Sequence, residues 1–361
     1  MKSDRLKLIT TIEDLRYYLI QGMKIEHATI PPYLTALYSL KPGSNLEAFH
    51  MIRPIVVEEM LHLTLAANVF NAVGGNIEGV FTNPEFVPRY PTKLPTGEEE
   101  FLVNVGKFSK QAVKTFLNIE RSKEVTQDEP LVGSRVKEEF LLSIFGYDPT
   151  KSFSSIRLFY AEVIRGLYAL HKEMGDALFC GDPQKQISRE YYYNGAGDII
   201  KVTDFDSAIR ALTLIQEQGE GSRTEAIYDA EKKLCHYYRF EQLELGQYYV
   251  VDKNEPLNSD KPHCPTGKTF TVDWDAVYPV KENAKLNDYP KGSELYTAAQ
   301  DFQKAYSKFL EEIEDSFNGN PEKLVLAVGG MFRLRDLANS LIRNPIPGMD
   351  GVNGAPIYRL D

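Results

Sequence analysis

The sequence predicts an all-α fold, a four-helix bundle with a long crossover connection, and three observations predict it. Two long segments, 10–40 and 46–73, repeat apolar residues at helical spacing. Each of these stripes is interrupted by ionisable residues at core-facing positions, Glu26 in the first and Glu59 with His62 in the second. After them comes a Pro-rich stretch, NPEFVPRYPTKLP, that cannot pair as a central strand and reads as a connection.

In the first helix, Thr10 followed by Glu13 reads as a capping box, satisfying two open backbone donors. From there Ile12, Leu15, Leu19, Gly22, Glu26, Thr29, Tyr33 and Leu37 share one stripe. Pro31 and Pro32 each remove a backbone donor and crowd the carbonyl four residues earlier. A bend over 28–32 is expected, with a pocket opening beside Tyr33 toward Glu26. The turn KPGSN leads to the second helix, 46–73, ended by Gly74-Gly75. Its stripe is Ile52, Ile55, Glu59, His62, Ala66, Val69 and Val73.

Residues 76–105 form the crossover connection, followed by a short helix over 109–120 and a polar loop over 124–134. A third bundle helix is expected over 154–179. Asn194-Gly195 marks a minor β-hairpin insertion, and a further helix follows over 206–218. Ser222 with Glu225 reads as the capping box of the fourth bundle helix, 222–249, which carries His236. A Pro-rich loop leads to a C-terminal helix pair, 293–317 and 321–342. No compositional break isolates a second core, so 1–361 reads as one helical domain.

Hydrophobic residues at 43% and charged residues at 25% of 361 are the composition of a soluble globular protein. A net charge of −10 without a dense basic run argues against nucleic acid as a partner. Cys180, Cys235 and Cys264 form no CxxC pair, which fits a reducing compartment rather than a disulfide framework. The first residues lack an apolar signal region, and no run approaches the ~20 apolar residues that span a bilayer. The expectation is a cytoplasmic protein with no membrane partner, acting on a small-molecule substrate; a homo-oligomer is compatible with all of this.

A carboxylate on a core stripe is costly unless something positive pairs with it, and a metal ion answers that need at several positions at once. Helix bundles present metal ligands as a Glu from one helix, ExxH from the next, and Glu and His from the remaining pair. Here Glu26, then Glu59 with His62, then a later carboxylate, then His236 offer that order. The bland alternative pairs Glu59 with His62, or makes His62 a satisfied core histidine. It is disfavoured because three isolated polar residues would each need a separate partner. Glu58 lies about 100° off the stripe and is expected to face solvent or a supporting partner. His27 is likewise off the Glu26 stripe, at the surface or behind a ligand.

The later carboxylate stays open. Glu162 has Gly166 one turn on, which would leave space; Glu217 and Glu220 in IQEQGEGS compete. A second ExxH would need a carboxylate at 233, where Lys233 stands, leaving Asp229 or Glu241 to substitute. His171, on a neighbouring apolar stripe, reads as a core histidine. The candidate metal ligands are therefore Glu26, Glu59, His62, Glu162, Glu217 and His236, with Glu59 a candidate bridge. Tyr33 and Tyr237, beside predicted ligands, are candidate catalytic relays for protons or electrons, packing in the core being the alternative. Carboxylate and imidazole donors suit iron or manganese.

The segments IEHATIPPYLTALYS, VVEEMLHLTLAANVFNAVGG, IQEQGEG, HYYRFEQL, VDWDAVYP and LAVGGMFRLRDLANSLIRNPIP together resemble the ferritin-like family of the iminophenylpyruvate dimer synthase type. Such domains occur in violacein- and rebeccamycin-type bisindole biosynthesis, and the resemblance covers nearly the whole chain. It implies a ferritin-like bundle with iron, as a dinuclear centre, at the Glu26, Glu59, His62 and His236 positions. It also implies an oxidoreductase using dioxygen or peroxide on amino-acid-derived small molecules in secondary metabolism. The chain departs from that family at Leu158 and Lys233, where the pattern often has Glu; Glu162, one turn after Leu158, would compensate. The alternatives are a manganese centre that disproportionates peroxide and a non-catalytic metal-binding or scaffold protein in a biosynthetic assembly.

Overall fold

A computed structural model describes residues 8–93, 102–120, 156–192, 197–220, 227–229, 233–250 and 265–360. Helix α1 (Ile12–Ser39) is capped by Thr11 and Asp14 rather than by Thr10 and Glu13. The Thr11 hydroxyl accepts from Asp14 N at 3.1 Å, and the Asp14 carboxylate accepts from the Thr11 and Thr10 amides at 2.9 and 3.0 Å. The middle of α1 is buried on every side, from Ile25 through Tyr33, because other helices surround it.

The helix runs on through Pro31 and Pro32 as an α-helix. Pro32 leaves the Ala28 carbonyl without its amide donor, and the Tyr90 hydroxyl supplies the bond instead at 2.8 Å. Beside Tyr33, where a pocket was expected, the described residues pack closely. Tyr33 is fully buried against Phe116 and Phe240, with ring centroids 4.6 and 5.1 Å away. A cavity of about 50 Å³ lies instead against Pro31, His27, Tyr306 and Met331. The prolines are thus accommodated by a phenol and an apolar gap.

Helix α2 (Leu46–Ala72) starts after Asn45, whose φ of 48° turns the chain sharply, and ends before Gly74 at φ 71°. It is followed by α3 (Lys110–Ile119), capped by the Ser109 hydroxyl on Ala112 N, then α4 (Ile156–Met174) and α5 (Phe205–Glu220). Helices α1 and α2 pack together, α1 packs on α4, α2 on α5, and α4 on α5, closing a ring of four.

The fourth ring member is therefore α5, not the expected helix over 222–249. Within that span Tyr228 bridges Leu234 in antiparallel fashion, Asp229 N donates to Lys233 O, and Lys233 N donates back to the Asp229 carboxylate. The described residues 227–229 and 233–235 are not helical, and α6 (His236–Leu245) follows them. The Ser222 and Glu225 cap lies outside the described residues. Helix α6 packs on α3, α2 and α5, so the chain returns to the ring beside Glu59. The C-terminal pair, α7 (Glu294–Phe317) and α8 (Lys323–Ile342), packs together, with α7 against α2 and α8 against α1.

Among the described residues β-structure is limited to isolated bridges such as Leu40 with Val277. The Asn194-Gly195 hairpin and the 124–134 loop lie outside the described residues. No described helix is long and apolar enough to cross a membrane.

One close approach gives a direct test of this packing. Gly181 N donates to Ala72 O at 3.0 Å, and a Cβ on Gly181 would lie 1.7 Å from Asn71 O. Backbone must move to relieve that overlap. Gly181→Ala is expected to destabilise the fold by about 1–3 kcal/mol or more, read by denaturant unfolding.

Candidate metal centre

Four elements deliver five buried ligand-type side chains to one place. Glu26 comes from the middle of α1, and Glu59 and His62 from adjacent turns of α2, where a spacing of three puts them on one face. Glu120 ends α3 and His236 opens α6. None is more than 3% exposed. They form two groups that share Glu59: Glu26, Glu59 and His62, and Glu59, Glu120 and His236.

The two groups have the same internal design. His62 Nδ1 lies 3.3 Å from Glu26 Oε2 and 3.9 Å from Glu59 Oε2. His236 Nδ1 lies 3.0 Å from Glu59 Oε1 and 3.6 Å from Glu120 Oε2. In each group a tyrosine holds the other oxygen of the terminal glutamate: Tyr160 donates to Glu26 Oε1 and Tyr33 to Glu120 Oε1, both at 2.6 Å. Each imidazole turns its Nε2 outward, His62 to Gln218 Oε1 at 2.9 Å and His236 to Glu58 Oε2 at 3.0 Å. In the neutral ring whose Nε2–H donates outward, the Nδ1 lone pair would face the carboxylates. Metal-bound histidines show this arrangement, because the outer acceptor fixes the ring and its tautomer.

The residues fit two metal ions. The buried His236 Nδ1 lies beside two carboxylate oxygens yet makes no hydrogen bond. Three buried carboxylates crowd together, and among the described residues the nearby fixed cation, Arg239, is committed to Glu58. Like charges in that setting demand protons or cations. Burial, with the charges of Glu120 and Glu26, pushes Glu59 up to about 7 against the pull of His236. Burial would lower both histidines, but Glu120, Glu58 and Glu59 raise His236 well above its usual value, and Glu26 and Glu59 raise His62. Burial would raise Glu58, but His236 and Arg239 outweigh it and hold Glu58 at about 2.

These shifts set a pH dependence. An unfolded Glu releases its proton near pH ~4.3, whereas Glu59 in the fold keeps it to about 7. In between, the folded state holds the extra proton, so the metal-free fold loses on the order of 3 kcal/mol as pH rises through that window. The raised histidines act in the same direction, their contribution being lost as pH rises through their folded pKa values. Glu58, being lowered, loses its contribution only in acid, below the unfolded value of ~4.3. Metal-free protein is expected to melt at a lower temperature at pH 8 than at pH 5. Added divalent metal, which needs deprotonated ligands, is expected to protect more at pH 8; melting curves with and without chelator check both.

Of the residues expected from sequence, the structure brings Glu26, Glu59, His62 and His236 together and leaves three elsewhere. Glu162 is bound by the Arg165 guanidinium at 2.6 and 2.7 Å and by Ile9 N at 2.8 Å, so its carboxylate belongs to an ion pair. Glu217 is half-buried and outside both groups; its neighbour Gln218 takes the inward position. Tyr237 is also half-buried, with its hydroxyl toward Glu241 at 3.5 Å. Asp229 and Glu241 are engaged within the reversal and with Tyr249, and the side chain of Glu220 lies outside the described residues. Glu120, rather than Glu162 or Glu217, is the carboxylate that lies beside Glu59 and His236. Tyr160, Gln218 and Glu58 complete the centre. His27, expected at the surface or behind a ligand, is buried with Nε2 bonded to the Tyr306 hydroxyl, and burial lowers it to about 3.

The ferritin-like family model matches residues 19–245, a span that holds both Glu/His groups. The chain belongs to the ferritin-like family. It is 24% identical over 336 residues to the dichlorochromopyrrolate synthase of Lentzea aerocolonigenes, covering 84% of this chain and 29% of that protein. The chain therefore spans under a third of that relative's length. The crystal structure of a ferritin-like protein from Caulobacter vibrioides superposes with a TM-score of 0.61 at 22% identity, covering 93% of this chain and 97% of the other. That likeness concerns the fold.

Proposed function

We propose that this chain is a dinuclear-iron oxidoreductase that uses dioxygen or peroxide on a small amino-acid-derived substrate in secondary metabolism. The observation that carries the reading is the sharing of Glu59 between two buried Glu/His groups. The donors are carboxylate and imidazole without thiolate, which suits iron or manganese. Similarity to a biosynthetic synthase supports the metabolic setting. A cytoplasmic location and a small-molecule partner belong to the same proposal.

When bound, two iron ions would supply the electron-transfer chemistry that amino-acid side chains lack. The chain's own groups hold and orient. Glu59 faces both positions, Glu26 and Glu120 each offer one oxygen, and the two Nδ1 atoms complete the donors. Tyr160 and Tyr33 fix those glutamates by the remaining oxygens. Both phenols keep their protons, because burial and the adjacent carboxylates push them well above the ordinary tyrosine value. Tyr33 also seals the pocket with Phe116 and Phe240, excluding water on that side.

Anaerobic protein loaded with ferrous iron and then mixed with oxygen is the test. Oxygen uptake in step with iron, faster than free iron in the same buffer, supports the reading. A manganese-loaded protein that breaks down peroxide, with no oxygen uptake by the iron form, would replace it with the peroxide-disproportionating alternative. Metal retention without either turnover would favour a binding or scaffold role.

A further inference from the structure

The two halves of the centre share one plan, and among the described residues they differ in what stands behind each imidazole. Each half has a tyrosine-held glutamate, an inward Nδ1 and a share of Glu59. Behind the imidazoles the halves part. His62 Nε2 meets a neutral amide, Gln218 Oε1 at 2.9 Å. His236 Nε2 meets a carboxylate, Glu58 Oε2 at 3.0 Å, which Arg239 Nη1 pins from the other side. All four outer and inner groups are buried, Glu58 at 4% and Gln218 at 2% exposure, so water does little to level the difference.

An anionic acceptor pulls on the Nε2 proton harder than an amide does and makes Nδ1 the better donor. Arg239 offsets part of the Glu58 charge while keeping the carboxylate in place. We infer that the two metal positions are unequal by design, the Glu58-backed His236 position binding the first ion and the Gln218-backed His62 position the second. Glu58 and Gln218 are then positioning residues that set the order of loading. The inference rests on the two-metal reading and goes beyond it, since that reading is silent on whether the positions differ.

Titration of the metal-free full chain with Co²⁺, followed by its visible absorption and by equilibrium dialysis, tests this without any assay of turnover. Two resolved equivalents are expected in the wild type. His236→Ala should remove the tighter and His62→Ala the weaker. Glu58→Gln should weaken the tighter equivalent about 10- to 100-fold and merge the two phases, while Gln218→Glu should tighten the second. Circular dichroism of each variant establishes that it is folded. Two indistinguishable equivalents in the wild type, or a tight phase untouched by Glu58→Gln, would overturn the inequality and leave the two-metal reading standing. No Co²⁺ uptake at all would overturn both.

Discussion

Glu59→Gln is expected to weaken metal binding at both positions together, by about tenfold or more at each. Its carboxylate is the one group common to both triads, with Oε1 beside His236 Nδ1 and Oε2 on the His62 side. Glu26→Gln and Glu120→Gln each touch one triad and should chiefly cost one equivalent. The amide matches the carboxylate in size and removes a charge that burial and Glu120 already resist, so the metal-free variant should fold at least as stably as the wild type. Elemental analysis beside a melting curve reads both effects. Equal losses from Glu59→Gln and Glu26→Gln would show that Glu59 does not join the two positions.

Arg165→Ala is expected to cost about 3–5 kcal/mol of stability while leaving the metal content of the folded protein unchanged. Glu162 is 2% exposed and Arg165 8%, and their two short hydrogen bonds neutralise one another. The same pair anchors Ile9 through its amide and its carbonyl. Removing the guanidinium leaves a buried anion and a freed segment. The double change Glu162→Gln with Arg165→Met should recover a good part of the loss, because no charge is then stranded. A shift under about 1 kcal/mol in denaturant unfolding, or a loss of metal from folded protein, would contradict the assignment of Glu162 to structure.

What was legible in the sequence had a period. Glu26, Glu59 and His62 announced themselves by breaking apolar stripes on helices of 28 and 27 residues, long enough for the phase to be counted. The same phase put Glu58 off that face, and it stands behind His236 rather than in either triad. Glu120 carried no such signal, because it caps a ten-residue helix and follows no long stripe. The fourth ring helix was misplaced for a related reason. Ser222 with Glu225 reads as a cap and lies outside the described residues, but farther along the Asp229 carboxylate accepts from Lys233 N where helix was expected, and Phe205–Glu220 fills the ring instead. Glu162 could not be sorted from sequence, since its partner Arg165 is three residues away and its role is decided by which face meets Ile9. The prolines told of a backbone carbonyl needing a donor, and the donor, Tyr90, lies 62 residues along the chain.

The central claim is that Glu59 joins two metal positions in this bundle, and a count of metal per chain tests it most directly. Protein purified without added metal, then reconstituted anaerobically with iron and freed of excess, should hold about two equivalents per chain by elemental analysis, as the two triads require. One equivalent that survives unchanged in Glu26→Gln or in Glu120→Gln, or none retained under any loading condition, would contradict it.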